Sequence, residues 1–196
     1  MLIKRAFFAL FIAVFLISTP VLAEVKYDLD KPHTRIGFSV RHIVVSYVQG
    51  DFKKFDGHFK MNKGELTHVE AVVETASIDT ANADRDKHLR SNEFLDVEKY
   101  PELKFVSKKI THKGNKYTVV GDLTIKDVTK SVTLEGELVG TVEKGLDEKP
   151  HAGFYAEGKI NRKEFNMNFH VILEAGGLAV GNEVKIILDV DGVVNS

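Results

Sequence analysis

The sequence predicts an all-β domain of about eight antiparallel strands, joined by one short helical connection around residues 84–98. Three observations predict it. Apolar and polar residues alternate along most of the chain from Arg35 to Val190, the period of strands with one buried and one wet face. Turn-forming clusters separate these runs at His112-Lys113-Gly114-Asn115, Lys126-Asp127, Lys144-Gly145 and Ala175-Gly176-Gly177. One stretch, Asp84 to Pro101, breaks the alternation: it is dense in charge, carries few large apolar side chains and ends at a proline.

Taken in order, the chain opens with a leader. Lys4 and Arg5 precede the apolar run Ala6–Ile17, and Val21-Leu22-Ala23 gives small or compact residues at the positions a signal peptidase reads. Residues 1–23 are expected to be a cleaved signal peptide and residues 24–196 a single exported domain. The apolar run is shorter than the ~20 residues of a spanning helix. Losing the leader removes two of the 27 basic side chains and none of the 28 acidic ones, so the domain is slightly acidic. That balance does not favour nucleic acid. The absence of cysteine excludes thiol catalysis, disulfides and cysteine-ligated metal.

The strand rows follow. Ile36, Phe38, Val40 and His42 share one face of Arg35–Ile43. Phe52, Phe55 and Phe59 lie in a Lys-rich stretch punctuated by Gly50 and Gly57. Val69, Ala71 and Val73 form the next row. Within the charged connection, Asp84 or Asp86 is suited to cap a helical turn. Leu89, Phe94, Leu95 and Val97 are suited to bury against the β body, one end or edge of which the connection is expected to cover, and Tyr100 before Pro101 is biased to an extended backbone. The strands then resume with Leu103, Phe105 and Ser107; with Tyr117, Val119, Gly121, Leu123 and Ile125; and with Val132, Leu134, Gly136 and Leu138. Phe154, Ala156, Gly158 and Ile160 come next, then Met167, Phe169, Val171 and Leu173, and finally Val184, Ile186, Leu188 and Val190. This order fits a sandwich or an up-and-down barrel. Ala71, Gly121, Gly136, Ala156 and Gly158 recur in the buried rows, where small residues leave space or allow bends.

Motifs for chemistry are scarce. The eight histidines form no ligand pair such as H-E-x-x-H, so no metal is expected, although spacing does not test mixed His/Asp sites. There is no G-x-S-x-G elbow, and Gly176-Gly177 is not a phosphate loop.

Several blocks together resemble one family. They are Asp28–His42, Ile78–Pro101 with Arg85-Asp86-Lys87-His88-Leu89 at its centre, Gly121–Lys130, Ile160–Phe165 and Val180–Val184. Their order and spacing are similar to those of the YceI-like family of bacterial exported proteins. The resemblance implies an antiparallel eight-stranded lipocalin-like β-barrel, in the periplasm, whose apolar pore binds a long polyisoprenoid or amphiphilic lipid, such as an isoprenoid quinone or a polyprenyl phosphate. It supplies no catalytic residues, and the chain is expected to bind, carry or store lipid rather than act as an enzyme. Two positions depart from the family pattern: Thr34, where serine is common, and Asn166, where glycine is common.

On strand parity, Phe38, Val40, Phe105, Leu123, Leu134, Phe154, Phe169 and Ile186 are expected to face the pore. His42 is the candidate donor to a quinone ring. Arg85 and Arg162 are the candidate cations for a phosphate head at the mouth. No cofactor is expected beyond the bound isoprenoid lipid. Transient membrane contact and a homodimer are both left open.

Overall fold

The computed structural model describes residues 24–174 and 177–195. The leader and its cleavage point therefore lie outside the described residues. The strands are β1 Val25–Leu29, β2 Arg35–His42, β3 Ser46–Phe52, β4 Phe55–Asn62, β5 Glu65–Glu74, β6 Ile78–Asp79, β7 Glu102–Lys113, β8 Lys116–Ile125, β9 Val128–Val142, β10 His151–Asn161 and β11 Val180–Val193, with one helix, α1, at Ala83–Arg90.

These make a closed eight-stranded barrel once two interruptions are recognised. A 3-10 turn at Lys31–His33 divides β1 from β2, and Lys53 and Lys54 divide β3 from β4. Both halves pair as one hairpin, from His42↔Ser46 and Ile36↔Phe52 to Asp28↔His58 and Val25↔Met61. From there each stave pairs with the next: β4 with β5, then β7, β8, β9, β10 and β11. The ring closes where β11 meets both β1 (Asp28↔Val193) and β2 (Ile186↔Phe38). Closure leaves no long free edge, and it decides for the barrel over the sandwich.

The hairpin turns fall where the turn residues stand. Lys63 and Gly64 both have positive φ between β4 and β5, as does Lys126 between β8 and β9. The small residues of the inner rows allow close approach. A Cβ on Gly121 would stand 2.5 Å from the Phe105 ring, and one on Gly136 would stand 2.3 Å from the Tyr155 carbonyl oxygen. Gly121 therefore makes room for an aromatic side chain, not for empty tunnel.

One predicted strand is absent. After β10, Arg162–Phe165 forms a 3-10 turn whose C-cap, Asn166, is left-handed at φ 58°. The reversal ends the strand, and residues 166–171 follow an irregular path. Asparagine tolerates this conformation better than most residues, which accounts for its standing where glycine is common. Thr34 is equally well accommodated. Its hydroxyl donates to the Asp191 carbonyl oxygen at 3.0 Å and accepts from the Asp191 N–H at 3.1 Å, both of which a serine could do.

The charged connection closes one end of the barrel. β5 ends and β7 begins at that end, together with the turn after β2 and the segment before β11. Asn82, two residues before the first of the expected caps, caps α1 by accepting from the Arg85 N–H at 3.0 Å. Asp86 is instead buried and accepts from both the backbone and the hydroxyl of Thr80, at 2.9 and 2.5 Å. The helix stops at Arg90, short of the expected extent, and turns carry the chain on to Pro101. Phe94 and Leu95 are buried, and Leu89 and Val97 pack against the core.

Candidate functional site

The barrel encloses an apolar cavity of about 280 Å³. A single water needs roughly 10–15 Å³ and two to four polar partners. This cavity has the volume for many waters and almost no polar lining to hold them. It is a space suited to an apolar ligand.

Its length follows from the strands. On β8, Tyr117, Val119, Leu123 and Ile125 all line it. At ~3.3 Å per residue these span about 26 Å along the strand, or about 20 Å along the axis at a tilt near 40°. The closed end is formed by Leu89, Phe94 and Leu95 from the connection, with Ile160, Arg162 and Met167. The other end narrows over aromatic rings: Phe154 lies edge-on to Phe59 at 5.2 Å and to Tyr117 at 5.7 Å. The Tyr117 hydroxyl is engaged by the Leu66 N–H at 3.4 Å.

Seven of the eight residues expected to face the pore do line it: Phe38, Val40, Phe105, Leu123, Leu134, Phe154 and Ile186. Phe169 does not. With no strand to set its parity, it leaves the barrel wall and packs on the connection, 5.0 Å from the His88 ring and 5.1 Å from Phe94. It backs the lid from outside. His42 ends β2 half-buried, away from the cavity lining.

The two arginines are also placed differently from a mouth-facing pair. Arg85 points to the loop before the helix, donating from Nε to the Thr80 hydroxyl and from Nη2 to the Thr80 carbonyl oxygen, both at 2.8 Å. Arg162 borders the cavity but is only 2% exposed. Its guanidinium donates to the carbonyl oxygens of Met167 (2.6 Å), Gly181 (2.9 Å) and Val180 (3.2 Å). Burial pulls its pKa down from the usual arginine value, but a guanidinium remains charged. It is thus a buried cation held by carbonyl dipoles, and it ties the irregular segment to the start of β11.

Sequence reasoning laid the connection over one end or edge of the body but did not count it among the cavity lining. Leu89, Phe94 and Leu95 were legible as buried residues, but nothing local shows that their far side faces a hollow. Tyr117 stands on the apolar parity of its row and could have been named from it, whereas Met167 lies in the row that forms no strand, so parity gave no ground for naming it.

The comparisons agree with this architecture. The YceI-like domain model matches residues 27–191. Protein YceI of Salmonella newport is 38% identical over 188 residues, covering 95% of each chain. The crystal structure of a YceI protein from Campylobacter jejuni superposes with a TM-score of 0.69 at 30% identity, covering 86% of this chain and 97% of the other. A domain from Saccharophagus degradans, described as polyisoprenoid-binding, shares the fold with a TM-score of 0.61 at 11% identity, covering 87% of this chain and 99% of that one. With its domain model, its barrel and its relatives in agreement, the chain belongs to the YceI-like family.

Proposed function

We propose that this protein binds a long polyisoprenoid or similar amphiphilic lipid in the barrel cavity and carries or stores it in the periplasm. The cavity itself carries the reading: about 280 Å³ lined by Leu, Val, Ile and Phe along the barrel. A polyprenyl tail has no hydrogen-bonding groups, so only apolar area and shape can hold it. At ~25 cal/mol per Å² of buried apolar surface, enclosing even about 300 Å² of tail gains about 7.5 kcal/mol before ordering costs. The polyisoprenoid-binding description of a neighbour with the same fold supports the same class of ligand.

Tail capture dominates this reading. Arg162, the cation bordering the cavity, has spent most of its donors on carbonyls and has little left for a phosphate. Affinity should therefore depend weakly on salt, because buried apolar contacts are not screened. The lining offers hydrocarbon surface rather than an array of acids and bases, which supports binding over catalysis. At the helix end, Ile43, Val44 and Val45 are exposed beside the segment bearing Val171 and Ile172, and the Ile43 N–H donates to the Ala179 carbonyl oxygen at 2.9 Å. This apolar rim supports transient membrane contact during loading.

The test is organic-solvent extraction of purified protein followed by mass spectrometry. A co-purifying long-chain lipid is the expected result. A turned-over product would indicate a lipid-modifying enzyme, and an empty barrel a structural envelope protein. For the location, N-terminal sequencing of periplasmic protein should return Glu24; Met1 would overturn export by cleavage.

A further inference from the structure

We propose that the helix end of the barrel docks on the surface of a lipid bilayer through the tips of two hairpins. This role rests on the lipid-binding reading above, since a bilayer is where a long apolar tail resides. One tip is the turn Ile43-Val44-Val45 between β2 and β3. The other is built by residues 171–173 and 177–179, where Ile172 bridges to Leu178. Hydrogen bonds join the two into one platform: the Ile43 N–H donates to the Ala179 carbonyl oxygen and the Ala179 N–H to that of Val171, both at 2.9 Å. Within the first turn, the Val45 N–H donates to the His42 carbonyl oxygen at 3.2 Å, and Arg41 Nε to that of Val44 at 3.0 Å. The backbone is thus held in place while the side chains meet solvent. Val45 is 81% exposed and Ile172 67%, with Ile43, Val44, Tyr47 and Val171 exposed beside them.

The residues at the first tip are unsuited to a turn in water. Ile43 and Val44 have φ of 42° and 67°. That left-handed region favours glycine or asparagine, and a β-branched residue there is a genuine outlier. Among the described residues, eight other than glycine have positive φ, and only these two are β-branched. The turn is therefore penalised twice, by its backbone and by the water around its side chains. Strain of this kind persists where function requires it. Aliphatic side chains have no polar atom to offer, so what they can gain in return is burial in hydrocarbon.

A bilayer fits this surface better than a protein does. A stable protein interface engages ~20–30 residues a side, around aromatic or arginine anchors seated in pockets. Here six apolar side chains stand on two adjoining tips. Projecting valines and isoleucines suit the acyl region of a bilayer, and the phenol of Tyr47 suits its head-group layer. The platform also continues the cavity wall. Val40 and Val180 line the cavity, and they stand on β2 and β11, the strands that lead to the two tips and pair at His42↔Val180 and Val40↔Val184. The strands that present apolar side chains to a membrane therefore present them to the pore as well.

The experiment mixes the full protein with neutral phosphatidylcholine vesicles and reads binding by flotation. The chain has no cysteine, so Val45→Cys carries an environment-sensitive dye at a single site. Its emission should shift to the blue with vesicles, while the same dye on Leu146→Cys, exposed in the β9–β10 loop at the other end, should not shift. Val45→Asp and Ile172→Asp should each lower vesicle affinity at least ~tenfold, because affinity follows the apolar area inserted. Raising salt should change binding little. Val139→Asp, at an exposed apolar residue of β9, is the control and should bind as the wild type does. All three aspartate variants sit at exposed positions and should keep the wild-type melting temperature. No flotation of the wild type, a blue shift only at Leu146→Cys, or an equal loss in Val139→Asp would overturn the docking surface. So would a dimer in sedimentation that Val45→Asp dissolves, since the face would then join two copies. Solvent extraction reads the cavity separately. Lipid recovered from protein that does not float would sink the docking surface and leave the cavity reading standing; flotation of a protein with an empty barrel would uphold the surface and sink the cavity reading.

Discussion

Phe94→Ala tests whether the charged connection is a packed lid. Phe94 is 6% exposed, with one face against His88 and Phe169 and the other bordering the cavity. Truncating a buried phenylalanine costs ~3–5 kcal/mol when it is surrounded on all sides. Here one side already faces a hollow and has fewer contacts to lose, which places the cost near ~3 kcal/mol. For a domain of this size each kcal/mol moves the melting temperature by about 2–4 °C, so the midpoint should fall by roughly 6–12 °C. Denaturant unfolding should show a lower midpoint with an unchanged slope. The same change opens the end of the cavity, so bound lipid should also dissociate faster. Phe169→Ala, which removes only the outer backing, should cost less. An unchanged melting temperature and unchanged lipid retention in Phe94→Ala would show that the connection is a loose flap and that the lid reasoning is wrong.

Other consequences can be checked directly. Leu123→Trp, which fills the cavity from a lining position, should leave the barrel folded and reduce the lipid recovered on extraction; full recovery would place the ligand elsewhere. Gly121→Leu should instead destabilise the barrel, since its Cβ would meet the Phe105 ring at 2.5 Å and the Val106 carbonyl oxygen at 2.6 Å; wild-type thermal stability would contradict that. Arg162→Met strands the carbonyls of Met167, Val180 and Gly181 and should lower stability by at least ~3 kcal/mol in denaturant titration. Tyr155 donates to the Glu157 carboxylate, which, aided by burial, pushes the phenol up to about 12. Its folded pKa lies above the unfolded one, so its contribution to stability is full below the usual tyrosine range and is lost as pH rises through about 12. A late-titrating tyrosinate band, absent in Tyr155→Phe, would confirm the assignment.

What the sequence determined by itself was the wall. Side-chain parity has a period of two and is written locally, so Phe38, Leu123, Leu134 and Ile186 could be placed inside before any contact was known. Turn residues, the lid's buried anchors and the family blocks were likewise legible. Tertiary structure decided what depends on residues far apart in the chain. Closure rests on β11 meeting both halves of the first stave, and Thr34 bonds with Asp191 across 157 positions. Phe169 kept an apolar parity on paper but lost its strand to the left-handed Asn166, so its direction came from packing on His88 and Phe94. Arg162 read as a surface cation until the fold supplied three carbonyls to bury it. Alternation specifies which face of a strand is apolar; it carries no information about where a distant segment ends, because that depends on contacts that exist only after the barrel has closed.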